Sequence, residues 1–189
     1  MLVLASVSPR RQELLRKAGI AFIVQPTDVL EIAKPGELPP DFAERMAREK
    51  AEAVFRARPN DFVLGADTIV VVDGTILGKP RDSADAARML RLLSGRTHHV
   101  ITGVCLMGPE LGTGFQDTRS EITLVNMAKL SDEDIRAYIA TGEPLDKAGA
   151  YGIQGMASRW IPRIEGDYFN VVGLPVALVQ RMLHDHGVK

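Results

Sequence analysis

Apolar residues along this chain follow two patterns: short runs typical of buried strands, and three-to-four-residue spacings typical of amphipathic helices. The first run covers residues 2–5. Ser8 and Pro9 follow as an N-cap and a first-turn proline, and they predict a helix that ends at Gly19. A second apolar run covers residues 21–24. The chain is therefore predicted to open with a strand, a helix and a strand.

The middle of the chain is predicted to contain one helix and one hairpin. Apolar positions at helical spacing predict an amphipathic helix from residue 41 to about 58. A β-branched run over residues 62–72 predicts a strand, and Asp73-Gly74 after it is the dipeptide most typical of a tight hairpin. Asp67 interrupts this otherwise apolar strand.

The remaining pattern predicts three more helices and two more strands. The helices run from Asp82 to a stop at Gly95, from the Ser131 capping box to Ala140, and onward from Pro175; the strands cover residues 100–107 and 122–127. Hairpins intervene between crossovers, which favours a mixed sheet over a regular doubly wound one. We predict one α/β domain over residues 1–189 with a mixed central β-sheet flanked by helices.

Length and charge exclude several classes of protein. A chain of 189 residues is one domain of ordinary size, and 46% hydrophobic residues supply a core. With 23 basic and 24 acidic residues the net charge is −1, so no global positive field attracts nucleic acid polymer or an anionic membrane. The lone Cys105 excludes an intrachain disulfide framework and a Cys-rich zinc site, which favours the cytoplasm. No apolar stretch approaches the roughly 18 to 20 residues that cross a bilayer.

A candidate anion site follows the first strand. Ser6, Arg10 and Arg11 place a hydroxyl and two guanidinium groups beside a predicted helix N-terminus, where free N–H groups attract anions. The alternative is an ordinary capped helix with solvated arginines.

A second candidate site surrounds Asp67. Burying an unpaired carboxylate costs several kcal/mol, so a cation must neutralise it, either a divalent metal or a lysine. The neighbouring Gly65 would let a ligand approach the backbone closely, and Thr68 adds a hydroxyl. The alternative is a strand-end Asp that reaches solvent. The polar candidates for its surroundings are Glu31, Glu49, Lys50 and Lys79.

The third candidate is the glycine-rich segment 146–155. It combines three glycines with Asp146, Lys147 and Gln154, and a structural loop rarely needs that combination. Glycine permits a positive φ or a close backbone approach, and the Gln154 amide can donate to and accept from a base edge.

The histidines and the cysteine are expected to carry no chemistry. His98 and His99, with the distant His184 and His186, lack the spacing of a metal site, and we expect the pair to be a strand and solvent feature. Cys105 lies in an apolar strand and is expected to be buried and inert.

Six strings in order over residues 2–175 together resemble the Maf family of nucleoside triphosphate pyrophosphatases. The strings are Leu4-Ala-Ser-x-Ser-Pro-Arg-Arg-x-Glu-Leu-Leu, Ala47-Arg-Glu-Lys-Ala, Gly65-Ala-Asp-Thr-Ile-Val, Ser94-Gly-Arg-Thr-His, Asp146-Lys-Ala-Gly-Ala-Tyr-Gly-Ile-Gln-Gly and Val171-Val-Gly-Leu-Pro. The resemblance implies an inosine-triphosphatase-like mixed-sheet fold with a central cleft, a divalent metal (Mg or Mn), a homodimer, and release of pyrophosphate from a nucleoside triphosphate.

Three positions separate two branches of that family. The branch acting on dTTP and UTP carries Arg, Thr and Gln at the positions of Arg10, Thr68 and Gln154, whereas the branch acting on 7-methyl-GTP carries Trp, Gln and Glu. This chain resembles the first branch at all three. It departs from the family pattern at Asp28-Val-Leu-Glu31, which is looser than the usual acidic run, and at Asn126-Met127, where Val-x-Phe is more usual.

The resemblance also implies roles for individual residues. Asp67 would be the catalytic base, and Glu31 and Asp67 would be the metal ligands. The implied substrate-binding residues are Ser6, Arg10, Arg11, Lys50, Thr68, Lys79, Lys147 and Gln154. Two alternatives stay open: a pyrophosphatase for 7-methyl-GTP or modified purine nucleotides, and a nucleotide-sensing regulator of cell division.

Overall fold

The computed structural model of the chain describes residues 1–109 and 114–188. Within these residues the strands are β1 (Leu2–Leu4), β2 (Ile23–Val24), β3 (Phe62–Val72), β4 (Thr75–Leu77), β5 (Thr97–Gly108), β6 (Phe115–Asn126) and β7 (Arg163–Glu165). The helices are α1 (Pro9–Lys17), α2 (Pro39–Phe55), α3 (Ser83–Leu93), α4 (Asp132–Ala140), α5 (Tyr168–Val172) and α6 (Val176–Asp185). Short 3₁₀ turns cover Glu143–Asp146, Ala148–Ala150 and Met156–Trp160.

The described strands form one mixed sheet in the order β2-β1-β3-β5-β6-β7, with β4 paired to β3. Strand β1 is parallel to both β2 and β3, whereas β4 is antiparallel to β3 and β7 is antiparallel to β6. The predicted α/β class, a mixed central sheet flanked by helices, is confirmed. The central cleft that the resemblance implies stays a prediction.

Local signals in the sequence set the ends of several elements. Ser8 caps α1 by accepting from the Arg11 amide, and Asp82 caps α3 by accepting from the Asp85 amide. Ser131 opens α4 with a complete capping box. Asp73-Gly74 connects β3 to β4 with φ values of 49° and 74°, as a tight hairpin turn requires. These predicted starts and turns are confirmed.

Other elements differ from the prediction. Strand β6 begins at Phe115 instead of residue 122, because its first half is polar on both faces and carries no alternation that the sequence would reveal. Helix α2 begins at Pro39, ahead of the predicted residue 41. Strand β7 and helix α5 span three and five residues, too few for a periodic signal.

The described residues cluster into two compact units. The first comprises Met1–Thr68, Thr102–Glu121 and Gly173–Lys189, in their described parts, and the second comprises Ile69–Ile101 and Ile122–Val172. A core of the first unit contains Val3, Ala5, Ala47, Ala51, Val54, Val63, Cys105 and Met107. The core of the second unit includes Val70, Leu77, Met89, Leu93, Val125, Ile135, Tyr138 and Trp160. A single domain over residues 1–189 stays a prediction.

Within the first unit, two glycines let α2 pack very close to the sheet. A Cβ added at Gly65 would collide with the Ala47 carbonyl and lie 2.8 Å from the Ala51 amide nitrogen. A Cβ added at Gly103 would lie 2.6 Å from the Glu44 amide nitrogen. The expectation that a ligand occupies the space beside Gly65 is therefore wrong on the Cβ side, where helix α2 fills it.

None of the helices in the described part of the chain has the length and hydrophobicity needed to span a membrane.

Candidate active site

The buried carboxylate on β3 has a lysine as its partner. Asp67 is 5% exposed, and Lys50 on α2 is 9% exposed. Lys50 Nζ donates to Asp67 Oδ1 at 2.6 Å and to Glu31 Oε1 at 2.5 Å. Of the two partners considered for Asp67, a metal or a lysine, the structure places a lysine, and the alternative of a strand-end Asp that reaches solvent is wrong.

This arrangement leaves a hydrogen-bond donor of Lys50 for a ligand. Both ions of a buried pair must be satisfied, because removing one leaves an uncompensated charge at a cost of several kcal/mol. Lys50 Nζ has three N–H donors and uses two of them on Asp67 and Glu31. Its third donor can bind an anionic oxygen. Glu49, another candidate, pairs with Arg45 at 3.0 Å.

The same two carboxylates fit a divalent metal that is completed by substrate. Among the described residues no cluster of three or more His, Cys, Asp or Glu side chains is arranged to hold a metal. Mg²⁺ is commonly bound by one or two carboxylates together with waters and substrate phosphates. Glu31 and Asp67, joined through Lys50, supply that donor set.

The Arg11 guanidinium, on α1, reaches the loop that follows β1. Its guanidinium donates to Gly173 O at 2.8 Å, Ser6 Oγ at 3.2 Å and Thr68 Oγ1 at 3.0 Å. Burial lowers the pKa of Arg11, while the negative charges of Asp67 and Glu31 oppose that shift. The alternative of a capped helix with solvated arginines is wrong for Arg11.

Two residues of this cluster were missed by the sequence reasoning. Thr102 is fully buried, and its hydroxyl lies 2.9 Å from that of Thr68. The Gly173 carbonyl accepts from both Arg11 and Thr68. No periodicity or motif distinguishes Thr102 from an ordinary strand threonine, whereas Gly173 lies within a string that resembles the Maf family. The structure thus brings Ser6, Arg11 and Thr68 together.

The second unit carries the other candidate residues. Lys79 and Gln154 are exposed. Lys147 Nζ donates to the Glu143 carbonyl at 2.6 Å and to Asp146 Oδ1 at 2.7 Å, so one of its three donors remains for a ligand. The Gly149 amide donates to the Gly78 carbonyl at 3.0 Å, which links the glycine-rich segment to the residue before Lys79.

The three glycines of this segment serve the chain itself. Gly149 has a φ of 67°. A Cβ at Gly152 would lie 2.7 Å from Lys147 Cε, and a Cβ at Gly155 would collide with the Glu143 carboxylate. Gly152 therefore makes room for a side chain of the same segment, and Gly155 makes room for the side chain of Glu143, which precedes the segment.

The prediction for the histidine pair is wrong for His98. This residue is 1% exposed, and its Nε2 lies 2.7 Å from the Tyr151 hydroxyl. Burial lowers the pKa of His98 to about 4, so its imidazole is neutral near pH 7. His98 shares strand parity with the buried Val100, a signal that could have placed it inside; His99 is exposed, as expected.

Cys105 is fully buried, and burial raises the pKa of its thiol to about 11. Such a thiol carries almost no thiolate near pH 7, which agrees with the inert role expected from its apolar surroundings.

The chain is similar over nearly its whole length to proteins of one family. The family model described as "Maf-like protein" matches residues 1–186. A protein of Koribacter versatilis named "dTTP/UTP pyrophosphatase" is 60% identical and covers 99% of this chain and 95% of its own length. Proteins of the same name from Symbiobacterium thermophilum and Syntrophomonas wolfei are 54% and 52% identical, over 98% and 97% of this chain and 94% and 96% of their own lengths.

A solved structure has a similar fold. The Staphylococcus aureus Ham1 protein superposes with a TM-score of 0.56 at 16% identity, covering 98% of both chains. At that identity the likeness concerns the fold alone. The family match extends over nearly the whole sequence, and the chain therefore belongs to the Maf family.

Proposed function

We propose that this protein is a nucleoside triphosphate pyrophosphatase that hydrolyses the α–β phosphoanhydride of dTTP and UTP to the nucleoside monophosphate and pyrophosphate. The observation that carries the proposal is the buried Asp67, which Lys50 holds by a hydrogen bond. The relatives of this chain are named "dTTP/UTP pyrophosphatase". A carboxylate fixed at low exposure beside a cation suits both proton transfer and phosphate chemistry.

Asp67 is the catalytic base in this proposal. Its carboxylate accepts the proton of the water that attacks the α-phosphorus, and pyrophosphate leaves as the Pα–O bond to the β-phosphate breaks. The hydrogen bond from Lys50 fixes the orientation of the carboxylate, and the remaining Lys50 donor binds a phosphate oxygen. Arg10, Arg11 and Ser6 bind further phosphate oxygens, with the half-buried Arg11 held in place by three acceptors.

The residues that would hold a divalent metal are Glu31 and Asp67. Mg²⁺ or Mn²⁺ at these carboxylates supplies Lewis-acid stabilisation of the charge on the phosphate oxygens. Because Lys50 contacts one oxygen of each carboxylate, it helps to order both side chains.

The proposal also assigns substrate contacts to Lys79, Lys147 and Gln154. Lys79 and the remaining donor of Lys147 bind phosphate. The uracil or thymine edge offers carbonyl acceptors and one N3–H donor, which a glutamine amide matches with one donor and one acceptor. A glutamate at this position could only accept when ionised, which suits the donor-rich edge of guanine. Thr68 and Arg10 agree with the same pyrimidine assignment, through the resemblance.

A substrate panel tests the proposed function. The purified protein is incubated with dTTP, UTP, 7-methyl-GTP and inosine triphosphate, with Mg²⁺ or Mn²⁺, and the monophosphate and pyrophosphate are quantified. The highest kcat/KM on dTTP and UTP is expected, with activity lost when the metal is chelated. A preference for 7-methyl-GTP or inosine triphosphate would overturn the pyrimidine assignment. Binding without turnover would favour the alternative of a nucleotide-sensing regulator of cell division.

The cytoplasmic location stays a prediction.

A further inference from the structure

A hydrogen-bonded network lies behind the glycine-rich segment of the second unit. The Tyr138 hydroxyl, on α4, donates to Glu143 Oε1 at 2.9 Å and accepts from the Gly152 amide at 3.1 Å. The other oxygen of the carboxylate, Glu143 Oε2, accepts from the Met156 amide at 3.1 Å. Two side chains outside the segment therefore hold the Gly152 amide within it and the Met156 amide directly after it.

The two held amides bracket Gln154. Between them the Gly155 amide donates to the Gly152 carbonyl at 3.1 Å, so residues 152–155 form a hydrogen-bonded turn with Gln154 at its third position. Gln154 itself is exposed. The network thus fixes the turn at both ends and leaves the side chain at its tip facing solvent.

Tyr138, which supports the turn, is buried and closely packed. Tyr138 is fully buried and packs edge-on against Trp160, with ring centroids 5.5 Å apart. Burial raises the pKa of Tyr138 above its usual value, so the hydroxyl stays protonated and continues to donate to Glu143. A Cβ at Gly155 would collide with the Glu143 carboxylate, so that carboxylate also fills the space behind the turn.

We propose that Tyr138 and Glu143 are positioning residues that set base selectivity by fixing the turn that carries Gln154. This inference rests on the proposed function, in which the Gln154 amide contacts the base. An amide discriminates between base edges only when its donor and acceptor are oriented, since a free rotor presents either group to either edge. Neither Tyr138 nor Glu143 contacts the substrate in this proposal.

Two variants and two matched controls test the proposal. Tyr138→Phe removes the hydroxyl, and Glu143→Gln replaces one acceptor by a donor that cannot pair with an N–H or O–H donor. The controls are Tyr168→Phe and Glu133→Gln, which make the same chemical changes at exposed positions. Gln154→Ala serves as the reference for full loss of base contact. Thermal unfolding establishes that each variant is folded, and Glu143→Gln, with a half-buried side chain, answers the question if Tyr138→Phe does not fold.

The first readout is selectivity. The ratio of kcat/KM for UTP to that for 7-methyl-GTP is expected to fall at least about fivefold in both variants, in the direction of Gln154→Ala and not in the controls. The inhibition constant of inorganic tripolyphosphate, which has no base, is expected to be unchanged. Equal losses on both nucleotides, or an unchanged ratio, would mean that the network is structural only and would overturn the proposal.

The second readout does not depend on turnover. Hydrogen exchange at the amides of Gly152 and Met156 is expected to accelerate in the two variants and to stay at the wild-type rate in the controls. Unchanged exchange at these amides would show that the network does not fix the turn. If the wild-type protein cleaves neither dTTP nor UTP, the proposed function fails and the selectivity role fails with it, whereas the exchange rates still decide whether the turn is held.

Discussion

Asp67 shows how one charged residue inside an apolar strand is accommodated. Most residues of strand β3 are buried, and the Asp67 carboxylate accepts a hydrogen bond from Lys50 on α2. Burying an isolated carboxylate costs several kcal/mol, because the charge loses its hydration without gaining a partner. The lysine therefore allows this position to be buried and charged.

Replacing the carboxylate tests its role as base. Asp67→Asn keeps the size of the side chain but removes its capacity to accept a proton, so kcat on dTTP is expected to fall at least about 10²-fold. The fold is expected to persist, as circular dichroism and gel filtration would establish. Residual turnover within about tenfold of wild type would contradict the assignment.

The two lysines with proposed phosphate contacts differ in burial and should therefore differ in effect. Lys50→Met leaves Asp67 without its cation, and we expect a loss of about 3 kcal/mol in unfolding free energy together with a lower kcat. Lys79→Met is on the surface, so stability is expected to change by less than about 0.5 kcal/mol while kcat/KM falls. Urea unfolding and steady-state kinetics measure both. Unchanged kinetics of Lys79→Met would return that lysine to a purely solvated role.

Hydrogen bonds from Arg45 join helix α2 to the segment that precedes it. Arg45 is 8% exposed and donates to both oxygens of Glu37, at 2.6 and 2.7 Å, and to the Ile32 carbonyl at 2.9 Å. The segment that carries Glu31 is thereby tied to the helix that carries Lys50. The geometry around Asp67 depends on this second ion pair as well as on its own.

The ion pair of Arg45 and Glu37 predicts a pH dependence of stability. The hydrogen bond from Arg45 lowers the pKa of Glu37 from 4.5 to about 2 in the folded chain. A carboxyl with a lowered folded-state pKa contributes stability that is complete above pH 4.5 and is lost as the pH falls towards 2. The difference in urea midpoint between wild type and Glu37→Gln is therefore expected to shrink over that range. A difference that stays constant with pH would contradict the ion pair.

The close packing of α2 on β3 gives a further test. Gly65→Ala places a Cβ against the Ala47 carbonyl and the Ala51 amide, so the helix must move away from the strand and Lys50 with it. We expect a loss of about 1–3 kcal/mol in unfolding free energy, with kcat reduced. Gly78→Ala is the control for stability, since its added Cβ would meet no atom within 4 Å. Equal stability of the two variants would show that the helix tolerates displacement.

The elements that the sequence predicted are those with local signals. The caps at Ser8, Asp82 and Ser131 are confirmed. They could be predicted because each cap involves two residues only three positions apart. The Glu143 contacts could not be predicted, because a carboxylate in a polar segment has no period and its partners, Tyr138 and the Met156 amide, lie on other elements. In the same way, spacing alone proposed a metal or a lysine for Asp67 and could not choose between them.

At the scale of the whole molecule, the fold carries little information about the chemistry. The Ham1 structure covers 98% of this chain at 16% identity, so the same arrangement is reached with mostly different side chains. The relatives at 50% identity or more, and the site residues, carry the argument for activity instead. The predicted family is confirmed, and the names of those relatives agree with the predicted activity.

The homodimer implied by the resemblance is tested by mass. Leu30, Ile32 and Leu38 are 80%, 67% and 63% exposed, and an interface that covers them would remove apolar area from water. Light scattering after gel filtration is expected to give twice the 20.6 kDa mass of one chain. A mass of one chain at all protein concentrations would contradict the prediction.

The rigid geometry of α2 constrains how this sequence can change in length. Arg45 and Lys50 are five residues apart, about 7.5 Å along the helix axis. One residue inserted between them would rotate Lys50 by about 100° relative to Arg45, so the helix could hold the Glu37 segment or reach Asp67, but not both. Insertions and deletions in this stretch should therefore be more damaging than most substitutions, because both contacts require a fixed spacing and a fixed angle between Arg45 and Lys50.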